Sequence, residues 1–199
     1  MTRSGQFTGW APELLLGVEV FGKTLGIIGA GRIGRAVAKR AQGFEMRVLY
    51  HNRNRLPEEM EREYNMEYVD LKTLLKESHF VSLHCPLTPE TKHLIGAPEL
   101  ELMKPTSVLI NTARGPVVDE VALVKALQEK QIYAAGLDVF EDEPALKPGL
   151  AELSNVVLAP HIASAGIETR LQMVDMVVSD VLAALEGRRP KNLVNPEIF

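Results

Sequence analysis

The chain has 199 residues, with Lys and Arg totalling 22 against 26 Asp and Glu, a formal charge of −4. Its mean hydropathy of −0.01 and pI of about 5.8 are those of an ordinary soluble globular protein and exclude nucleic-acid binding driven by overall charge. The lone cysteine, Cys85, excludes an internal disulfide and points to reducing, cytoplasmic surroundings, while no apolar run reaches the ~20 residues that span a bilayer. Residues 1–22, with Trp10, Pro12 and the Gly17–Gly22 stretch, read as a lead-in, and Met1–Gln6 lack the apolar core of a secretion signal. Short β-branched runs then alternate with amphipathic stretches, the pattern of βα units on a parallel sheet.

The predicted strands are Leu25–Gly29, Arg47–Tyr50, Phe80–His84, Ser107–Asn111, Ala134–Val139 and Val156–Ala159. After the first strand, Ile33, Ala36, Val37 and Phe44 fall on one face at helical spacing. Pro57 with Glu58 and Glu59 marks the first turn of the next helix, where carboxylates complement the dipole. Asp70 is placed to cap a short helix through Leu74 and Leu75, and Asp119 one through Leu123 and Leu127. Leu171, Val174, Val178, Val181 and Leu185 make a long stripe closed by Gly187. Asp175 and Asp180 interrupt the stripe, which therefore reads as core or interface and not as a membrane helix. The expected class is α/β, a doubly wound parallel sheet of Rossmann type with helices on both faces.

Gly29, Gly31 and Gly34 form G-x-G-x-x-G directly after a strand and directly before a helix. Gly29 permits the tight turn, Gly31 lets the backbone reach a pyrophosphate, and Gly34 brings helix against strand. The helix N-terminus at Arg32 and Ile33 presents N–H donors and a positive dipole to the anion. A glycine turn without ligand has the same letters, and the strand–loop–helix context favours a dinucleotide. An NAD site usually sets Asp or Glu at the end of the second strand, where it binds the ribose 2′-OH. Here the segment is Asn52-Arg53-Asn54-Arg55, with no carboxylate between Glu45 and Glu58. Arg53 and Arg55 either form a solvated turn or clamp a 2′-phosphate, so NADP(H) is expected over NAD(H), which remains possible.

Three further segments end predicted strands, where open α/β sheets bind ligands: Asn111–Gly115, Gly136–Pro144 and Pro160–Ser164. They offer a fixed cation, a cluster of carboxylates and a histidine, a set suited to redox between a carbonyl and an alcohol. An arginine fork holds the carboxylate of a 2-oxo acid and polarises its carbonyl, and a histidine passes the proton. His79, His84, Cys85 and His93 match no usual zinc spacing, and no metal is expected. Cys85 has no paired base in the sequence and reads as a small buried hydrophobe.

Taken together, these residues resemble the D-isomer-specific 2-hydroxyacid dehydrogenases. The resemblance runs from Gly22-Lys23-Thr24-Leu25 to Leu193-Val194-Asn195-Pro196, and Tyr50–Arg55 with Leu137–Pro144 look most like the glyoxylate/hydroxypyruvate reductase branch. It implies Arg114 as the substrate-binding arginine, His161 as the acid/base and Glu143, the last carboxylate of its loop, as the partner of that histidine. It also implies that Thr112, Ala113, Arg114, Asp138, His161 and Ala163 face the nicotinamide end, and that Cys85-Pro86-Leu87-Thr88 passes the cofactor ribose. On this likeness the domains are 1–22, a lead-in and crossover helix segment; 23–165, an NAD(P)-binding Rossmann domain; and 166–199, a helix and tail returning toward a first, substrate-closing lobe. That lobe is expected to be largely absent from the chain, which puts catalysis by these residues alone in question. The Arg3–Gly17 segment resembles the one through which family members dimerise, so a homodimer is expected. The implied partner is a small 2-oxo or 2-hydroxy acid, with no nucleic acid and no membrane. The alternative is a non-catalytic dinucleotide-sensing module, since corepressors resembling these dehydrogenases share the fold.

Overall fold

A computed structural model describes residues 1–198. Two compact units emerge, Met1–Leu158 and Ala159–Phe199, the division falling before the 165/166 boundary expected from the sequence. The first unit holds a seven-stranded, wholly parallel sheet: β1 (Thr24–Ile28), β2 (Arg47–His51), β3 (Met66–Tyr68), β4 (Phe80–Leu83), β5 (Val108–Asn111), β6 (Ala134–Leu137) and β7 (Val156–Leu158). Their order across the sheet is β3-β2-β1-β4-β5-β6-β7. Six of these strands follow the sequence pattern. The seventh, β3, is a three-residue edge strand, too short to show an alternation.

Between the strands run α1 (Arg32–Ala41), α2 (Glu58–Tyr64), α3 (Leu71–Glu77), α4 (Ala97–Leu102) and α5 (Glu120–Gln128). Asp70 and Asp119 cap α3 and α5 as expected, their carboxylates accepting the amides of Thr73 and Ala122. Alternate strand residues feed separate cores on the two faces of the sheet. Leu25, Ile27, Val48 and Tyr50 pack with Ala38 and Ala41 of α1. Ile28, Leu49, Val81, Leu83 and Leu109 pack with Leu74, Leu100, Leu123 and Leu127 from α3, α4 and α5. The lead-in contains a 3₁₀ turn at Thr2–Ser4 and no α-helix, unlike the crossover helix expected there.

Helix α1 corrects the reading of its apolar face. Ile33 is 68% exposed and Phe44 lies beyond the helix, 53% exposed, while Gly34, Ala38 and Ala41 are buried. Close packing against the sheet selects the small side chains. A Cβ at Gly34 would overlap the carbonyl oxygen of Gly29 and touch Ile27.

The second unit holds α6 (Ile167–Leu185). Gly187 takes φ +69, and its amide reaches Ala184 while that of Arg188 reaches Ala183, closing the helix in a Schellman motif. No helix among the described residues is long and apolar enough to cross a membrane. The two cores yield a stability contrast. Leu83→Ala, at a fully buried site, should cost about 2–5 kcal/mol, whereas Ile33→Ala should stay within about 0.5 kcal/mol. Urea unfolding of the two variants measures the difference.

Candidate active site: a dinucleotide groove and the loops beside it

The strand order reverses between β1 and β4, and at this point a doubly wound sheet opens a crevice beyond its carboxyl ends. A groove of about 400 Å³ occurs there, lined by Ile28, Gly29, His51, Asn52, Arg53, Cys85, Pro86, Thr88, Glu90 and Thr91, a volume within the usual range for ligand sites. A larger cavity of about 940 Å³ lies at the other end of the sheet, by the amino ends of β5–β7. Parallel-sheet topology puts no ligand site at that end.

The turn after β1 is built for close approach. Gly29 takes φ +97, and a Cβ on it would lie 2.5 Å from the amide nitrogen of Cys85. Around Gly31 a Cβ would meet nothing within 4 Å, so open space faces the start of α1. No side chain caps that helix, which leaves the amides at Arg32 and Ile33 to an outside acceptor. Asn52, at the end of β2, accepts the Ala30 amide at 2.7 Å and ties the turn to the neighbouring strand. A diphosphate fits this cradle: backbone donors, a positive helix end and room for two bulky tetrahedral groups.

Beside it, Asn52–Leu56 form a turn held from beneath. The Tyr50 hydroxyl accepts the Leu56 amide at 2.9 Å and donates to Glu61 at 2.6 Å. Arg55 forms a bidentate pair with the same carboxylate, both bonds 2.8 Å. The Arg55 guanidinium, first, and the Tyr50 hydroxyl hold Glu61 down at about 2, while burial pushes Tyr50 up to about 12. The two arginines of the turn therefore differ. Arg55 is committed to Glu61, and Arg53 lines the groove. Asn54 is exposed on the same turn. Glu90, from the loop after β4, contributes the groove's carboxylate. Thr88 and, more weakly, Arg53 lower its pKa. A search for an acid at the end of β2 misses Glu90, because only the fold brings its loop there. Cys85 is half-buried beside Gly29, and burial raises its thiol pKa.

At the end of β5 the buried Asn111 spans its own turn. Its Oδ1 accepts the Ala113 amide at 3.0 Å and its Nδ2 donates to the Arg114 carbonyl at 2.9 Å, fixing Thr112–Arg114. Arg114 is exposed and donates to the Ala113 carbonyl. At the end of β6, Asp138 is buried, and its amide reaches the Asn111 carbonyl at 3.0 Å. In the loop beyond, Glu141 pairs with His93 at 2.7 Å and Asp142 with Lys147 at 2.6 Å. Glu143, the third carboxylate, is exposed and accepts the Phe140 amide at 3.0 Å. His161 and Ala163 belong to the second unit, both exposed, His161 with φ +53.

The histidines outside the site have partners of their own. His79 accepts the Thr24 amide and His84 bonds Ser82. Among the described residues no group of three or more His, Cys, Asp or Glu side chains is placed to hold a metal ion.

A wholly parallel sheet with a glycine cradle at its switch point defines a Rossmann-type dinucleotide-binding domain. Residues 1–163 match the NAD-binding domain of the D-isomer specific 2-hydroxyacid dehydrogenases, and the chain belongs to this family. It is 55% identical over 201 aligned residues to the glyoxylate reductase of Thermococcus litoralis, covering 99% of this chain and 60% of that protein. The crystal structure of a glyoxylate reductase from Paecilomyes thermophila superposes with a TM-score of 0.87 at 42% identity, over 100% of this chain and 58% of that one. D-lactate dehydrogenase from Lactobacillus jensenii, solved with NAD+, gives 0.84 at 35% identity over 97% and 61%. The chain thus spans about 60% of the length of the curated relatives it matches.

The Glu61 network makes the groove's outer wall sensitive to acid. A carboxylate held at about 2 in the fold contributes stability that is complete above the ordinary carboxylate range and lost as pH falls from about 4.5 toward 2. Glu61→Gln should flatten that part of the stability–pH curve and cost about 1–3 kcal/mol at neutral pH. Urea titrations from pH 7 down to pH 3 read both effects.

Proposed function

We propose that the chain is the cofactor-binding part of an NAD(P)H-dependent reductase of small 2-oxo acids, glyoxylate or hydroxypyruvate, giving the D-2-hydroxy acid. The observation that carries this reading is the juxtaposition, on one sheet edge, of the glycine cradle with the Arg114 turn and the Glu143 loop. When bound, the reduced nicotinamide supplies a hydride. The chain's own residues do the rest. Backbone donors at Arg32 and Ile33 take the diphosphate. Thr112, Ala113, Asp138 and Ala163 border the nicotinamide end, and Cys85-Pro86 the ribose. Arg114 binds the substrate carboxylate as a fork and polarises the adjacent carbonyl. His161 delivers the proton to the carbonyl oxygen, and Glu143 stabilises its imidazolium. The exposed Phe7, Trp10, Leu15 and Leu16 support a homodimer through the lead-in.

NADPH is proposed as the preferred cofactor, with Arg53 alone meeting the 2′-phosphate, because Arg55 is held by Glu61. Arg53→Ala should remove most of a preference worth roughly 1.5–3 kcal/mol, about ten- to a hundredfold in affinity. Glu90→Gln should tighten NADPH more than NADH, since it takes a negative charge from the same groove. Equal dissociation constants for the two cofactors in the parent chain, by fluorescence titration, would sink the preference.

Turnover tests the reaction itself. His161→Ala should cost about 10²–10⁴-fold in rate and leave cofactor binding nearly intact. Glu143→Gln should move the optimum for reduction to lower pH, because an imidazolium without its carboxylate loses its proton more readily. Arg114 is exposed in this chain, where ion pairs are screened and weak. Turnover should therefore be poor in the 199 residues alone and rise when the remaining length found in the relatives is joined to them. If the 199-residue chain reduced hydroxypyruvate as fast as that longer protein, the need for a closing lobe would fall.

A further inference from the structure

Glu120 is a buried charge-bearing residue that the reaction above does not use. It is the first residue of α5 and only 2% exposed. One carboxylate oxygen accepts the backbone amide of Glu141 at 2.7 Å. The other is buried without a hydrogen-bond partner. A carboxylate taken from water with half its lone pairs unmet is costly, and burial raises its pKa. A helix start needs no such burial, since an exposed Glu at the same position would complement the dipole equally well.

What the carboxylate reaches explains the burial. The Glu141 amide lies in the loop after β6, two residues before Glu143. That loop is pressed against the Arg114 turn: a Cβ at Gly115 would overlap the carbonyl of Phe140. Phe140 in turn donates its amide to Glu143. The side chain of Glu141 is held from outside by His93 at 2.7 Å, with Lys147 at 3.7 Å from its second oxygen. Asp142 takes Lys147 at 2.6 Å. The loop is thus held by Glu120 at its backbone, by His93 and Lys147 at its side chains, and by Gly115 through contact. Of these, the bond from Glu120 is the one sheltered from water and from salt screening.

We propose that Glu120 is a positioning residue that anchors the Glu141 amide, fixes the Phe140–Glu143 loop against the Arg114 turn, and so presents Glu143 to the reaction. The inference rests on the role given to Glu143 above, and it adds a residue that touches neither substrate nor cofactor. It requires an acceptor at position 120, not a charge. Glu120→Gln keeps an acceptor oxygen in the same place, and Glu120→Leu keeps the bulk and removes it.

Two readouts separate the anchor from the reaction. Hydrogen exchange followed by mass spectrometry on the 199-residue chain reads the anchor without turnover. Glu120→Leu should speed exchange over Phe140–Glu143 roughly tenfold, as expected for a lost buried hydrogen bond. Exchange over Ile27–Gly34 should stay unchanged, and Glu120→Gln should behave like the parent. In the turning-over protein, Glu120→Leu should displace the pH–rate profile in the same direction as Glu143→Gln. Combining the two changes should displace it no further, and cofactor affinity should hold throughout. Unchanged exchange at Glu141 in Glu120→Leu overturns the anchor, as does Glu120→Gln exchanging as fast as Glu120→Leu. A fall in rate with an unmoved pH profile, or additive displacements in the double variant, overturns the positioning role. Absent turnover in every variant, the parent included, with the exchange pattern intact, overturns the reductase reading and leaves the anchor standing.

Discussion

A parallel sheet must carry its chain back to the starting edge after every strand, and right-handed returns put successive helices on one face until the direction of winding reverses. In this chain the reversal falls between β1 and β4. Everything functional depends on that single topological fact. Connections leaving the two strands turn away from each other, and the crevice between them cannot be filled by the chain's own loops. The glycine turn after β1 and the Cys85–Thr91 loop after β4 become its two walls, brought within 2.5 Å of a hypothetical Gly29 side chain.

Around that crevice, polar groups are arranged in layers. Closest to the groove are backbone amides and Asn52, with the charged Arg53 and Glu90 beside them. One step back are ion pairs that act on geometry alone. Arg55 with Glu61 supports the outer turn, and His93 with Glu141 supports the loop after β6. Asn111 does the same for the Arg114 turn with two neutral bonds. The Arg114 turn and the Phe140–Glu143 loop are short and tied by hydrogen bonds, which limits the entropy lost if a ligand orders them.

Much of this was legible in the sequence. The glycine spacing, the strand ends and the helix caps at Asp70 and Asp119 are local signals, each set by a few neighbouring residues. What escaped was set by distant partners. Ile33 and Phe44 fit a helical stripe, yet the face of α1 that meets the sheet is the one carrying Gly34, Ala38 and Ala41, because only small residues allow the approach. Arg55 looked equivalent to Arg53 until Glu61, on the following helix, took its guanidinium. Glu90 reaches the groove from a loop far along the chain. Glu120 is buried because of where the loop after β6 lands, a placement no local pattern around it encodes. Strand β3 carries too few residues for a period of two to show.

The division of the core by strand parity has a consequence for how the sheet keeps its register. Along β1, Leu25 and Ile27 serve the α1 side, while Gly26 and Ile28 serve the α3 side. Gly26 has no room for a side chain: a Cβ there would lie 2.5 Å from the Leu74 side chain. A slip of one residue would drive Leu25 or Ile27 into that position and move Gly26 to the opposite side, where bulk is needed. The central strand therefore carries its own alignment key. Its neighbours β2 and β4 pair with it residue for residue, so the key sets their alignment too, and with it the height at which Asn52 and Cys85 emerge at the rim.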